Sequence, residues 1–80
     1  MNFLFAKTIP SKQGKCVYKL YEFKLAPGLY HAELVSPVDR TSITEINFKK
    51  DKGMWQTSLR SKEAKRLAAI FGNEIEKFKN

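Results

Sequence analysis

Cysteine and histidine are almost absent from this sequence, which contains one of each, Cys16 and His31. A single cysteine excludes a disulfide within the chain, and Cys16 has no neighbouring Cys or His at the spacing of a zinc site. We therefore expect no metal site. We expect Cys16 to be a small buried hydrophobic residue in a reducing cytoplasm.

Long hydrophobic runs are also absent. Lys and Glu interrupt every apolar stretch well before the roughly 20 residues that a membrane-spanning helix needs. The apolar residues 1–6 are too few for a signal peptide, and no basic residue precedes them. These absences predict a protein that has no membrane span and stays in the cytoplasm.

Sequence motifs of catalysis are missing as well, since there is no Gly-rich phosphate loop, no Cys-x-x-Cys and no His-x-x-x-His. His31 and Glu33 are two residues apart and would share one face of a strand, but no Ser, Cys or second carboxylate is placed to complete a catalytic set. A surface histidine beside a carboxylate is the simpler interpretation. A domain this small seldom encloses an ordinary substrate pocket. We expect no catalytic residue, no cofactor and no enzymatic activity.

Positive charge and aromatic residues are what the chain does have. Fifteen Lys and Arg against eight Asp and Glu give its 80 residues a net charge of +7, spread along the chain without a basic tail. Hydrophobic residues make up 42% of the sequence and include six Phe, three Tyr and one Trp, which is enough to fold despite the charge. We expect a single compact domain, residues 1–80, whose folded surface attracts an anionic partner.

Alternation of apolar and polar residues predicts four or five β-strands. The predicted strands cover residues 3–9, 16–25, 29–36, 43–49 and 54–59, the last as a separate strand or an extension of the same ribbon. The turn Ala26-Pro27-Gly28 has a type II signature, and irregular connections are expected at residues 11–14 and 36–40. In the second strand Val17, Tyr21, Phe23 and Leu25 share one face, and Tyr18 and Leu20 share the other.

A helical period begins after Ser61, which is a predicted N-cap with Glu63 in the first turn. The apolar stripe of this helix consists of Ala64, Leu67, Ala68, Phe71, Ile75 and Phe78. Gly72 and Asn73 interrupt the stripe, and we predict one helix with a weak centre. The fold class is therefore α+β, with an antiparallel β-meander of four or five strands followed by one C-terminal amphipathic helix packed on the sheet.

The direction of Trp55 depends on the length of the loop before it. With a three-residue loop, Lys50 faces Met54 and Trp55 lies beside Lys49 on the face opposite Phe48. With a four-residue loop, Phe48 faces Trp55 and both enter the core. The preference of cores for large aromatic residues favours the buried tryptophan.

Two basic groups are candidate phosphate-binding sites. One group is Lys49, Lys50 and Lys52 in the turn before Trp55, and the other is Arg60, Lys62, Lys65 and Arg66 at the start of the helix. Both groups are equally consistent with ordinary solvated surface. Trp55 and Tyr18 are candidate stacking platforms beside them, with lateral packing or a dimer contact as the alternative for Tyr18.

The overall layout resembles the PUR repeat, and the Whirly-type single-strand binders have a similar order of elements. The resemblance covers a basic turn with Lys12 and Lys15, the aromatic strands at residues 17–24 and 29–34, the strand at residues 43–48 and the closing helix. It implies binding of single-stranded DNA or RNA on a curved sheet, and a homodimer for a chain with one repeat. The positions that would match those facing nucleic acid are Lys15, Tyr18, Lys19, Tyr30 and His31.

The sequence thus predicts a non-enzymatic binder of single-stranded nucleic acid, in which lysines neutralise phosphates and aromatic rings stack on bases. The alternative is a protein-interaction or homodimerisation module that uses an exposed strand edge or a second aromatic face.

Overall fold

The computed structural model describes residues 1–11, 14–36 and 43–80. They form five strands and one helix: β1 (Asn2–Ser11), β2 (Gly14–Glu22), β3 (Leu29–Ser36), β4 (Glu45–Asp51), β5 (Met54–Thr57) and α1 (Lys62–Lys79). The strands pair antiparallel in chain order, β1-β2-β3-β4-β5. The predicted α+β meander with a C-terminal helix is confirmed. The connections predicted at residues 11–14 and 36–40 include residues 12–13 and 37–40, which lie outside the described residues.

Alternation along the strands gives the sheet two different faces. The face under the helix, called the helix face, carries the buried side chains of β2, β3 and β4. These are Cys16, Tyr18, Leu20, Tyr30, Ala32, Leu34, Ile46 and Phe48. Intervening residues point to the opposite side, called the open face, because successive side chains of a strand alternate. Within the described residues, α1 covers the helix face only.

The helix closes the core with its apolar stripe. Phe71 lies against Tyr18 and Phe48, with ring centroids 5.0 and 5.9 Å apart. The side chain of Ser61 accepts a hydrogen bond of 3.1 Å from the amide of Ala64, so the predicted N-cap is confirmed. Burial of a side chain such as Phe71 contributes about 1.5–3 kcal/mol, which makes this contact a main source of stability.

The turn between β2 and β3 follows its sequence signature. The amide of Leu29 donates to the carbonyl of Ala26 at 3.0 Å, and Gly28 has a φ of 93°, as the third residue of a type II turn requires. The second strand is shorter than predicted, because β2 ends at Glu22 and Leu25 lies in the turn with its side chain fully exposed.

The hairpin between β4 and β5 has a shorter loop than either length weighed from the sequence. Lys52 and Gly53 alone form the turn, with φ values of 53° and 81°, and Asp51 pairs with Met54. Two consecutive positive φ values are typical of a type I′ turn, whose twist matches that of the flanking strands. Lys50 therefore pairs with Trp55, and both loop lengths considered were wrong. The favoured direction of Trp55 is confirmed, since its ring packs against Phe48 at 5.8 Å.

Trp55 also explains the glycine in the middle of the helix. The helix runs without a break past Gly72, which is buried, and a Cβ atom there would lie 2.1 Å from the indole Cδ2 of Trp55. The indole ring thus rests directly on the helix backbone. Glycine at position 72 costs about 1 kcal/mol of helix propensity relative to alanine. The close packing of Trp55 explains why a glycine is needed there.

We predict that Gly72→Ala lowers the free energy of unfolding by about 1–3 kcal/mol, because the new methyl group displaces the indole. The neighbouring Asn73→Ala is the control, since Asn73 is exposed and the change raises helix propensity by about 0.5 kcal/mol. Urea denaturation of both variants measures the effect. A Gly72→Ala variant as stable as Asn73→Ala would contradict this packing.

In the described part of the chain, no helix has the length and apolar character needed to cross a membrane.

Candidate functional site

Three aromatic candidates from the sequence lie on the helix face. Tyr18 and Tyr30 are only 3% and 5% exposed, and Trp55 is half-buried. The ring of Tyr30 stacks on Phe48 at 5.7 Å. These rings are part of the core, so the described structure does not offer them as stacking platforms.

Tyr18 also has a polar role in the core. Its hydroxyl donates a hydrogen bond of 2.8 Å to the carbonyl of Ile43, just before β4. Burial raises the pKa of Tyr18 to about 12, with a smaller contribution from nearby Cys16 and Glu63. The phenol is therefore neutral at ordinary pH and connects β2 to the chain entering β4.

The open face carries a second set of rings, called the ring cluster: Phe3, Tyr21, Phe23 and His31. Tyr21 lies 5.6 Å from Phe3 and 6.1 Å from His31, and Phe23 lies 6.3 Å from His31, measured between ring centroids. Phe3 is 55% exposed, and the other three are partly exposed. Strand register produces the cluster, because Phe3 pairs with Tyr21 and Tyr21 pairs with His31.

Sequence reasoning included His31 among the site residues but missed Phe3, Tyr21 and Phe23. A signal was available in β2, where Tyr18 alternates in phase with Cys16 and Leu20, whereas Tyr21 and Phe23 alternate in phase with Lys19. Both lysines of β2, Lys15 and Lys19, are in this second phase, and lysine is mostly exposed in folded proteins.

Three of the predicted lysines share the open face with the ring cluster. Lys19 pairs with Ala6 and Glu33, and Lys49 pairs with Leu29 and Gln56. Lys15 lies further along β2, opposite Pro10. All three side chains are exposed, and none forms an ion pair within residues 1–11, 14–36 and 43–80. Glu33 and Glu45 pair with each other on this face, so it carries charges of both signs.

The acidic residues around the helix are all neutralised by ion pairs. The pairs are Lys7–Glu74 (3.1 Å), Lys77–Glu74 (3.8 Å), Lys79–Glu22 (3.2 Å), Arg66–Glu63 (2.6 Å) and Lys50–Glu76. Lys7 holds the pKa of Glu74 below its usual value, and Lys50 does the same for Glu76 with a smaller contribution from the Trp55 N–H. The pKa of Glu22 is lowered chiefly by the amide of Gly28 and then by Lys79.

The excess positive charge therefore lies elsewhere. Among the described residues, eight basic side chains and three acidic ones form no ion pair. The basic ones are Lys15, Lys19, Lys24, Lys49, Lys52, Arg60, Lys62 and Lys65. Most of the net charge of the protein belongs to its open face, its turns and the start of its helix.

The remaining basic candidates are dispersed. Lys50 is on the helix face and paired with Glu76, and Lys52 is in the type I′ turn. Arg66 pairs with Glu63 through both its Nε and its Nη2 atoms. Arg60, Lys62 and Lys65 are exposed before and within the first helical turn. Over the described ranges, none of these cations lies over a ring of the ring cluster.

Among the described residues, His31 makes one polar contact, a hydrogen bond of 2.7 Å between its Nδ1 atom and Oδ1 of Asn47. An amide oxygen can only accept, so the imidazole donates. In the described part of the chain, no group of three or more His, Cys, Asp or Glu side chains is arranged to hold a metal ion.

Compared with known proteins, the chain matches no family model, no curated protein and no solved structure. The resemblance to PUR repeats stays a prediction.

We predict that Tyr18→Phe lowers the free energy of unfolding by about 1 kcal/mol, because the carbonyl of Ile43 loses its buried donor. Tyr21→Phe is the matched control, since the hydroxyl of Tyr21 has no hydrogen bond within the described residues, and its effect should stay within about 0.5 kcal/mol. Urea denaturation compares the two. Equal losses would show that the Tyr18 hydroxyl has no special structural role.

Proposed function

We propose that this protein is a non-enzymatic binder of single-stranded nucleic acid and that the ligand lies on the open face of the sheet. One observation carries the proposal: the ring cluster shares this face with Lys19 and Lys49, which have no ion pair among the described residues, whereas the acidic residues beside the helix are all ion-paired. The single buried Cys16 fits a reducing compartment, so we expect the protein to act in the cytoplasm.

The partly exposed rings would act as stacking surfaces for bases. Their planes are inclined by 68° between Phe3 and Tyr21, 45° between Tyr21 and His31 and 77° between Phe23 and His31. Neighbouring rings are thus far from parallel, and each ring offers its own surface to a separate base. Stacking contributes about 1–3 kcal/mol per base and tolerates any sequence, because every base has a flat face. An extended single strand exposes its bases in a way that a duplex does not.

The lysines on either side of the cluster would bind the backbone. Lys19 lies two residues from Tyr21 along β2, as the next side chain on the same face, and Lys49 lies diagonally from His31 across β3 and β4. Phosphates bound there would place the bases over the rings between them. Glu33 and Glu45 lie in the same cross-strand row as Lys19 and would repel phosphates. A phosphate bound to Lys19 would therefore lie on its β1 side, next to Ala6.

The proposed interface keeps part of the residue set predicted from the sequence. Lys15, Lys19, His31 and Lys49 remain, and Phe3, Tyr21 and Phe23 take the role given to Tyr18, Tyr30 and Trp55. The others supply long-range attraction without direct contact; they are Lys52, Arg60, Lys62 and Lys65. Lys50 and Arg66 are engaged by carboxylates and take no part.

We predict that Lys19→Ala and Lys49→Ala each weaken binding of a single-stranded oligonucleotide and reduce its salt dependence. Each phosphate contact contributes a slope of about −0.7 in log affinity against log salt for single strands. Lys65→Ala is the control, because it removes the same charge from the start of the helix. Fluorescence anisotropy at several salt concentrations measures the affinity of the unmodified protein and of the three variants. Equal weakening by Lys65→Ala would mean that net charge alone attracts the ligand, which contradicts an interface on the open face.

Self-association through the same face is the second candidate function. Phe3 and Met54 are exposed apolar side chains, at 55% and 66%, and the neighbouring Lys19 and Glu33 could pair with a second copy. The homodimer implied by the PUR resemblance is consistent with this candidate. It predicts that the unmodified protein forms a particle of twice the 9.2 kDa chain mass and that the Phe3→Ser variant is a monomer. Sedimentation equilibrium, repeated with oligonucleotide present, measures it, and a monomer at all concentrations would exclude it.

A further inference from the structure

A shallow groove lies next to the ring cluster on the open face and crosses β3, β4 and β5. It has a volume of about 320 Å³ and is lined by Leu29, Asn47, Lys49, Gln56, Thr57 and Ser58, together with the buried Phe48. Cross-strand pairing brings these side chains together, because Lys49 lies between Leu29 and Gln56. The groove thus offers one apolar side chain and several polar ones within reach of a base whose neighbour stacks on His31.

The hydrogen bond between His31 and Asn47 fixes what the groove can recognise. Oδ1 of Asn47 already accepts from Nδ1 of His31 at 2.7 Å, which uses one of its two lone pairs and leaves both N–H groups of the Asn47 amide available. Within the described residues, those N–H groups have no partner. Lys49 adds an ammonium group, which can only donate. Gln56, Thr57 and Ser58 can donate or accept, so the groups that favour a donor role in the groove are Lys49 and the N–H pair of Asn47.

Bases differ in what they present to such donors. Guanine, thymine and uracil carry a keto oxygen at the position where adenine and cytosine carry an amino group, and the keto oxygen accepts where the amino group donates. When a protein donor faces an amino group, neither of these two donors has a hydrogen-bond partner. The cost of leaving them unpaired discriminates between the bases more strongly than the gain of one hydrogen bond does.

We infer that this groove selects bases with a keto oxygen at C6 of a purine or C4 of a pyrimidine over bases with an amino group there, so that the protein prefers single strands rich in guanine, thymine or uracil. The inference rests on the proposed function and adds a base preference to it. Asn47 is the residue that reads the base, and His31 is a positioning residue that fixes the orientation of the Asn47 amide.

The sharpest test compares oligo(dU) with oligo(dC) of equal length, because these strands differ only at C4, which carries a keto or an amino group, and at the adjoining N3, which is protonated in uracil alone. Fluorescence anisotropy at constant salt should give tighter binding of oligo(dU) by about fivefold or more, which corresponds to the lower end of a base-edge contact. Asn47→Ala should bring the two affinities together by weakening oligo(dU) binding. Asn73→Ala, the same change on the helix, should keep the preference.

Asn47→Asp provides a second variant, because its carboxylate accepts where the amide donated. It should move the preference towards oligo(dC), whatever its effect on overall affinity. Circular dichroism and urea denaturation confirm that each variant is folded, as expected for an exposed side chain.

Each outcome has a definite meaning. Equal binding of the two strands by the unmodified protein, or tighter binding of oligo(dC), overturns the base preference and leaves the proposed function standing. A preference that persists in Asn47→Ala also overturns it. If neither strand binds at low salt, the proposed function fails and the base preference fails with it.

Discussion

One helix covering one face of a five-stranded sheet is the constraint on which the rest of the structure depends. An 80-residue chain with a single helix can bury only one side of its sheet, so strand alternation assigns every side chain either to the core or to the open face. Phe48 and Phe71 meet in the core, and Tyr21 and Phe23 stay on the other side, where nothing in the described residues packs over them. Aromatic residues on the uncovered side are exposed by the architecture itself.

The charges follow the same division. Around the helix, Glu22, Glu63, Glu74 and Glu76 each bind a lysine or an arginine, and such exposed pairs add little to stability. Their larger effect is on the distribution of charge, because they neutralise one side of the molecule. Lys19 and Lys49 are left unpaired beside the ring cluster. Fold and electrostatics therefore favour the same face as the place where an anionic, flat-ringed ligand would bind.

Much of this fold could be predicted from local patterns. Short-range geometry determines three features that a sequence displays directly. They are the alternation of apolar and polar residues in the strands, the change to a helical period after Ser61 and the Pro27-Gly28 turn. Which face of the sheet the helix covers is a tertiary choice, and alternation shows only that Tyr18 and Tyr21 lie on opposite sides. Strand alternation allows Tyr18 to be a ligand-binding ring, and the PUR resemblance implies the same for Tyr30, although both belong to the core.

The β4–β5 hairpin and Gly72 show the same limit at closer range. A lysine at positive φ, Lys52, is uncommon, so the sequence pointed to longer loops with Gly53 alone in that conformation. Gly72 resembled a weak point of the helix because the partner that requires it, Trp55, is distant in sequence. In both cases a contact between separate elements decides the outcome.

Mapping a bound single strand onto the protein by NMR tests the central claim most directly. Amide chemical shifts of the isotope-labelled protein, followed during titration with an oligonucleotide, should change most at Tyr21, Phe23, His31, Asn47 and Lys49. The amides around the buried Tyr18 and along α1 should change little. Changes concentrated at Arg60, Lys62 and Lys65 with an unaffected open face would contradict the account.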